Sequence, residues 1–556
     1  MRVLGISPMH DSSVALINNG HLEYFCKEER LTRDKRDSMP FLSINNAFRN
    51  TKGPIDFIVI SSPTKTDTRN EFIEDYLFKI TKTKIARLCE HHHLSHASLA
   101  FYNSGFDKAL TVVIDRNGSH FDRLRESESI FICNYPNHFK PIYKSFWLEK
   151  IGFFEDQLNR DKISERITSG GLKDCEIVAD STMNITKVYE SATTLIGQLP
   201  LENGKTMGLA GYGKNKKFKS LFVDDIPNTN LFTNGSGEAD FVDTYGPPIV
   251  YKKYFDDQVK EVPRVDYQLY ADFAFQVQKQ TQEQVLKLIK KYVKKTKIKS
   301  VCVTGGYGLN VVTNEYLIKN LPEVDFYFEP MADDAGNSIG AAMFIYRSET
   351  KDSTIHPLKH TFFNNIRHNI NVEGEEVTTK NIAKYLSESK VVAVFNGQAE
   401  AGPRALGNRS ILFDPRNARA KDIINNIKKR EWYRPYAGSI LIEHFKDYFE
   451  THHIKSSPFM TVSFQVKKDK KNLIPGMVHV DQSCRVQTVD KEIPHYYNLL
   501  KEFYKITNVP ALLNTSFNVA GEALVETVED AVNTFNKTDI DILWFPELKK
   551  TIKKLR

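Results

Sequence analysis

The sequence predicts an α/β protein of two domains, and three observations carry that reading. A length of 556 residues exceeds the ~100–200 residues of an ordinary domain. An apolar strand, a polar loop bearing an Asp and a hairpin occur at the N-terminus, and the same pattern recurs at 110–133. A polar run at 347–360, beginning Arg347-Ser348-Glu349-Thr350-Lys351-Asp352-Ser353-Thr354, reads as a linker before the chain restarts with a helix and a strand. The division therefore falls at 1–350 and 360–556.

Composition narrows the class. Hydrophobic residues at 41% and charged residues at 26% are those of a soluble globular chain, and a net charge of +7 is modest for this length. Lysine clusters at 290–299, 467–471 and 549–554 read as solvated faces and do not demand a nucleic-acid groove. Six scattered cysteines without a CxxC argue against a disulfide framework and a thiolate zinc site. No run of ~18 apolar residues occurs, and the N-terminus reads as a strand and not as a signal peptide, so a cytoplasmic protein without a membrane partner is expected.

Residues 2–6 read as the first strand, followed by the turn Ser7-Pro8-Met9-His10-Asp11-Ser12-Ser13. Residues 14–17 and 22–26 read as two further strands, with Asn18-Asn19-Gly20 as the hairpin between them. In the second copy a buried strand at 110–114 leads to the loop Asp115-Arg116-Asn117-Gly118 and a strand at 129–134. A duplicated strand–loop–hairpin with an acidic residue in each loop is the arrangement of the actin-like ATPase (ASKHA) fold, whose loops face each other across a nucleotide cleft.

Between the copies lies Glu90-His91-His92-His93-Leu94-Ser95-His96-Ala97, running into an apolar helical segment at 97–102. His92 and His96 share one face of a helix and can converge on one metal ion. The alternative is a hydrogen-bonded histidine cluster. Asp115, at the end of a buried strand, adds a carboxylate to a plausible ligand set.

Residues 147–200 read as helical and irregular, and 215–262 as an insertion with little regular structure. The stretch at 202–213 reads as a glycine-rich loop without P-loop spacing, either a backbone approach to a ligand or a mobile surface loop. A long helix at about 266–294 has a buried stripe of Leu269, Phe273, Val277, Val285, Leu288, Ile289 and Tyr292. It feeds a strand at 300–304, then Gly305-Gly306 and Asn310, and another helix. Such a junction offers free backbone N–H groups to a phosphate, or else is a tight turn that needs positive φ. Asp334, before the small-residue run 335–342, is a further oxygen ligand for the histidines or a helix N-cap.

After the linker a helix at 379–388 and a strand at 391–395 lead to three basic motifs: Gly402-Pro403-Arg404-Ala405-Leu406-Gly407-Asn408-Arg409-Ser410, the run 428–436 with Lys428 and Arg434, and the run 479–487 with Arg485. Asn514-Thr515-Ser516 ends an apolar strand. Arginines fixed in glycine- or proline-bounded loops suit bidentate binding of phosphate or carboxylate. Each alone could be a surface ion pair. Together they point to a phosphate-bearing ligand.

The set resembles the O-carbamoyltransferases of antibiotic and nodulation-factor biosynthesis nearly end to end. The matching residues are Gly5-Ile6 with His10-Asp11-Ser12, Glu28-Glu29-Arg30 through Lys35, the run 92–97, Gly204-Lys205-Thr206-Met207-Gly208-Leu209, Gly305-Gly306 with Asn310, and Asp334-Ala335-Gly336 to Gly340-Ala341-Ala342. The C-terminal motifs match as well, Gly402 to Asn408 being very specific. The resemblance implies an actin-like N-terminal domain, similar to the metalloprotein of threonylcarbamoyl-adenosine synthesis, and a YrdC-like C-terminal domain. Carbamoyl phosphate and ATP would give carbamoyl-AMP in the second domain. Its carbamoyl group would pass in the first to a small hydroxylated acceptor, a sugar or secondary metabolite.

By resemblance, Lys428, Arg434, Arg485, Arg404, Asn514 and Ser516 would hold carbamoyl phosphate and ATP. His92, His96, Asp115 and Asp334 would bind a divalent metal: Fe2+ by family analogy, with Mg2+, Mn2+ or zinc compatible with the same ligands. Lys205, Gly305, Gly306 and Asn310 would line the nucleotide, and His10 or Asp11 would deprotonate the acceptor. Two positions depart from the family: the loop is Asp115-Arg116-Asn117-Gly118 where Asp-Gly-x-Gly is usual, and Ala520 stands where a basic residue is common. The competing readings are carbamoyl-type modification of a nucleotide or nucleic acid, and a non-enzymatic actin-fold nucleotide sensor. Family members suggest a homodimer.

Overall fold

The computed structural model describes residues 1–65, 67–121, 124–148, 174–181, 183–216, 218–228, 232–234, 249–251, 261–364 and 372–554. Its first sheet is built from β1 (Arg2–Ser7), β2 (Ser13–Asn18), β3 (His21–Lys27), β4 (Phe57–Ser62) and β5 (Lys84–Cys89), in the order β3-β2-β1-β4-β5. The β1–β2 and β2–β3 pairs are antiparallel, whereas β1–β4 and β4–β5 are parallel. β1 and β4 are buried along their whole length, as near-continuous apolar runs require when both sheet faces are covered.

The second sheet contains β6 (Lys108–Ile114), β7 (Leu124–Asn134), β8 (His138–Leu148), β9 (Glu176–Ser181), β10 (Ser300–Thr304) and β11 (Asp325–Phe328). Its order, β9-β8-β7-β6-β10-β11, repeats the first sheet with β9 added at one edge. The senses repeat too: β6–β7 and β7–β8 antiparallel, β6–β10 and β10–β11 parallel. The duplication suspected from the hairpins is therefore one of whole sheets.

Two helices fill the space between the sheets, α1 (His92–Ser104) and one at Asn337–Thr350. Their approach is backbone to backbone: a Cβ on Gly340 would stand 1.9 Å from the Ser95 carbonyl oxygen, and one on Gly5 would stand 1.9 Å from that of Ser338. Among the described residues a further sheet of nine strands forms the C-terminal part; its neighbours Arg409–Phe413, Ala511–Ser516, Ala437–Leu441 and Ser483–Val489, followed by the edge strand Ser463–Gln465, lie within or beside the arginine motifs. Among the described residues no helix is long and apolar enough to cross a membrane.

Several expectations need correction. The glycine-rich stretch is no loop: Asn203–Ala210 is α2. A Cβ on Gly208 would meet Pro435 at 2.9 Å and one on Gly211 would meet His479 at 2.4 Å, so these glycines serve close packing against the C-terminal part. In 147–200, strands β8 and β9 and a helix Ile185–Leu195 are present, while 149–173 and 182 lie outside the described residues. So does most of 215–262, where short strands at Phe222–Val223, Ile226–Pro227, Phe232–Asn234 and Ile249–Tyr251 are described. The long helix spans Gln268–Thr296, and Leu269 in its first turn is 41% exposed, off the buried stripe. The polar run at 347–350 belongs to the helix ending at Thr350, because Arg347 turns inward between the rings of Tyr102 and Tyr135 and pairs with Asp352 at 3.1 Å.

Candidate functional site

α1 starts at His92, so the HxxxH spacing does put both imidazoles on one helical face. Asp115 follows β6 directly, and Asp334 opens a short turn before the helix Asn337–Thr350. All four side chains are buried, with one potential ligand atom from each lying within 4.8 Å of all the others. The Nε2 atoms of His92 and His96 are 3.2 Å apart; His92 lies 3.4 Å from Asp115 and 3.3 Å from Asp334, and His96 3.4 Å from Asp334. Two ring nitrogens and two carboxylates converging in a buried site fit a divalent metal ion.

The charges fit as well. Burial alone would push the His92 imidazole down, yet Asp334 and Asp115 together hold it up at about 10. Against the same burial, His92 holds Asp115 at about 2 and Asp334 well below the usual carboxylate range. The site concentrates negative charge that the His92 imidazolium offsets.

His10 stands at the rim, its Nδ1 3.4 Å from Asp334 and its Nε2 3.2 Å from Asp11. Gly306 N–H donates to Asp115 Oδ1 at 3.2 Å. Gly305 has φ +83°, and a Cβ there would come within 2.4 Å of the Ile114 carbonyl oxygen, which is the tight-turn role. Asn310 caps the helix Val311–Asn320 through Thr313 N–H and donates to Gln278 at 3.0 Å. Arg116, at the divergent loop position, is held by Glu190 at 2.7 Å.

The second site is a cavity of about 180 Å³ lined by Arg404, Arg430, Arg434 and Arg485, by Asn514 and Ser516, and by Gly204, Met207, Val311 and Val312 from the first half. Three basic motifs separated by up to 81 positions thus meet in one place. Lys428 is buried beside the cavity, where its Nζ donates to Ser516 Oγ at 3.1 Å and Asn518 Oδ1 at 2.7 Å. Burial, with Arg430 and Arg434 next, drives the Lys428 ammonium well below its ordinary range. Burial and the neighbouring Arg434 lower Arg404 and Arg430 to about 10. Arg485, pressed by burial and Arg404, is lowered as well.

Lys205 is not among the residues lining that cavity; its ammonium is paired with Glu431 at 2.7 Å and Glu202 at 3.0 Å. Sequence reasoning singled out the 428–436 run but overlooked Arg430, whose position two residues past Lys428 was the available signal. It also missed Asn337, whose amide lies 3.2 Å from His96 Nε2, and the Lys27–Asp333 pair at 2.7 Å beside the histidine cluster. The two sites adjoin: Arg404 donates to the Leu309 carbonyl at 3.0 Å, and a Cβ on Gly402 would stand 2.8 Å from the Pro330 carbonyl oxygen.

A buried His–Asp cluster next to a buried arginine cavity is the equipment of an enzyme that handles anionic groups. Residues 70–343 match the family model described as carbamoyltransferase N-terminus, and 383–551 that described as carbamoyltransferase C-terminus. The chain belongs to the carbamoyltransferase family and is a carbamoyltransferase. It is 28% identical to nodulation protein NolNO of Sinorhizobium fredii over 96% of this chain and 78% of that protein. With nodulation protein NolO of Bradyrhizobium diazoefficiens it shares 28% identity over 81% of this chain and 76% of the relative. A solved structure of full-length HypF in its phosphate- and nucleotide-bound form is similar with a TM-score of 0.39 and 13% identity, covering 63% of this chain and 56% of the other.

Proposed function

We propose that the chain is an ATP-dependent O-carbamoyltransferase working in two steps at two sites. The arginine cavity carries this reading: four guanidinium groups line it, with Asp481 as the lone carboxylate among the described lining residues. Only Arg434 of the four lies near a further carboxylate among the described residues, Glu431 at 3.6 Å, and the excess of positive charge calls for an occupant of several negative charges. Carbamoyl phosphate and ATP are such occupants. Carbamoyl phosphate would lose inorganic phosphate to water, leaving carbamate. A carbamate oxygen then attacks the α-phosphorus of ATP, forming carbamoyl-AMP and releasing pyrophosphate. Lys428, Arg404, Arg430, Arg434 and Arg485 offset phosphate repulsion and stabilise the charge on the transferring oxygens. Asn514 and Ser516 orient the substrates through neutral hydrogen bonds. Carbamoyl is a weak electrophile, and the mixed anhydride with AMP supplies its leaving group.

In the second step an acceptor hydroxyl attacks the carbamoyl carbon and AMP leaves. His10, between Asp11 and Asp334, takes the hydroxyl proton, and Asp11 orients the ring. His92, His96, Asp115 and Asp334 would hold a divalent ion, iron by family resemblance, which when bound would supply Lewis-acid charge toward the phosphate of the carbamoyl donor. The two sheets of one order, with an acidic loop in each, support an actin-like ATPase fold for 1–350, with Gly305, Gly306 and Asn310 beside the nucleotide. A YrdC-like reading of 360–556 accompanies it. The acceptor is a small hydroxylated molecule, a sugar or secondary metabolite.

Incubation with ATP and carbamoyl phosphate, without acceptor, should release pyrophosphate; a folded, metal-replete sample that releases none would exclude the adenylation step. Lys428→Ala and Arg434→Ala should each abolish that release. His92→Ala should spare it and stop transfer, so loss of both activities in His92→Ala would contradict the division between sites.

A further inference from the structure

Arg404 leaves a turn whose geometry is set by one buried carboxylate. Glu400 is fully buried, and its Oε1 accepts three backbone N–H groups: Leu406 at 2.8 Å, Asn408 at 3.0 Å and Arg409 at 3.3 Å. Its Oε2 has no hydrogen-bond partner among the described residues. Around this centre the turn is closed from several sides. Asn408 donates to the Gln398 carbonyl at 2.8 Å, and the Arg409 guanidinium to those of Asn396 at 2.7 Å and Gly397 at 2.9 Å. Arg30, from the first half, donates to the Glu400 carbonyl at 3.3 Å. Gly407 adopts φ +120° against the Tyr496 ring, where a Cβ would stand 2.5 Å away.

One oxygen collecting three backbone N–H groups is a strong template for a turn, because it fixes three donors of the turn about a single point and leaves none of them unsatisfied in the interior. A second, unpartnered buried oxygen is costly, and packing alone would be served better by an apolar side chain. The turn delivers one functional group. Arg404 reaches from it to the Leu309 carbonyl at 3.0 Å and lines the cavity, while its Nε has no partner among the described residues.

We propose that Glu400 is a positioning residue, folding the turn 401–409 around its carboxylate so that the Arg404 guanidinium is presented to the phosphate-bearing substrate. The inference rests on the reading of the arginine cavity as the place where carbamoyl phosphate binds. The test is a double-mutant cycle on acceptor-free pyrophosphate release, measured against carbamoyl phosphate concentration. Arg404→Ala should raise KM about tenfold or more, with a smaller effect on kcat. Glu400→Ala should match it within about threefold, and the double variant should be no worse than either single one. Glu400→Gln, whose amide oxygen still accepts the three N–H groups, should stay within about threefold of the parent KM. If Glu400→Ala does not fold, Glu400→Asp, which cannot reach the three groups, replaces it in the cycle with the same expectation. Effects that multiply in the double variant, or a Glu400→Gln as damaged as Glu400→Ala, overturn the positioning role. An unchanged KM in Arg404→Ala overturns instead the reading of the cavity, and the two failures are thereby distinguished.

Discussion

Arg430 stands with Arg404, Arg434 and Arg485 on the wall of one cavity, where burial and Arg434 act against its charge. On the proposed reading such a group is held for a ligand and not for the fold. Arg430→Ala should therefore raise KM for carbamoyl phosphate or ATP about tenfold while leaving the melting temperature at or above that of the parent, as parallel kinetics and thermal scans can determine. Glu329 offers a test by pH. Burial raises its carboxyl from 4.5 to about 7, although Met331 N–H, Asn103 and Tyr327 bond to it; Asp333 adds to the rise. Below pH 4.5 the group is protonated whether the chain is folded or not. Between the two pKa values only the folded state holds the proton, so stability falls as pH rises, on the order of 3 kcal/mol by pH 8. Glu329→Gln should remove that slope, and urea midpoints at pH 4.5 and 8 measure it. At this scale the His92/His96 pair was legible because four-residue spacing dictates a shared helical face. Asn337 was not, since nothing local marks an amide as the neighbour of a ring 241 positions away.

Among the elements, β1 to β3 were readable because apolar runs bounded by polar turns leave few alternatives. β8 was hidden by Pro141, which removes a ladder donor; the structure accommodates it at a register shift, opposite Phe131. α2 was hidden by its glycines, which local propensity assigns to a loop and tertiary packing assigns to a helix. Gly305 shows both demands at once, a positive φ and a carbonyl where a side chain would go. Gly305→Ala should destabilise the chain by roughly 2–4 kcal/mol in denaturant unfolding. Gly306→Ala should cost under about 1 kcal/mol, because a Cβ there meets nothing closer than Asp115 Oδ1 at 3.3 Å.

At the scale of the molecule, the sequence read as two units, and their mutual contacts were beyond it. Arg33 donates to the Leu524 and Ala523 carbonyls at 2.6 and 2.9 Å, Asn314 to that of Thr461 at 2.8 Å, and His479 Nε2 lies 2.9 Å from that of Gly208. Each partner is an ordinary residue taken alone, and only the folded chain selects it. One consequence follows from the bare crossing of α1 with the helix Asn337–Thr350. His92 and His96 ride on the first, Asp334 immediately precedes the second, and at Gly340 nothing but backbone separates the two. The crossing therefore works as a gauge block: the thickness of one residue sets the spacing of the four side chains that, on the proposed reading, would hold the ion. Gly340→Ala thickens the block without altering any ligand, and should weaken divalent-metal affinity at least about tenfold in a competition titration against a chelator. Selectivity among ions of different radius would then be tuned at position 340, outside the coordination shell.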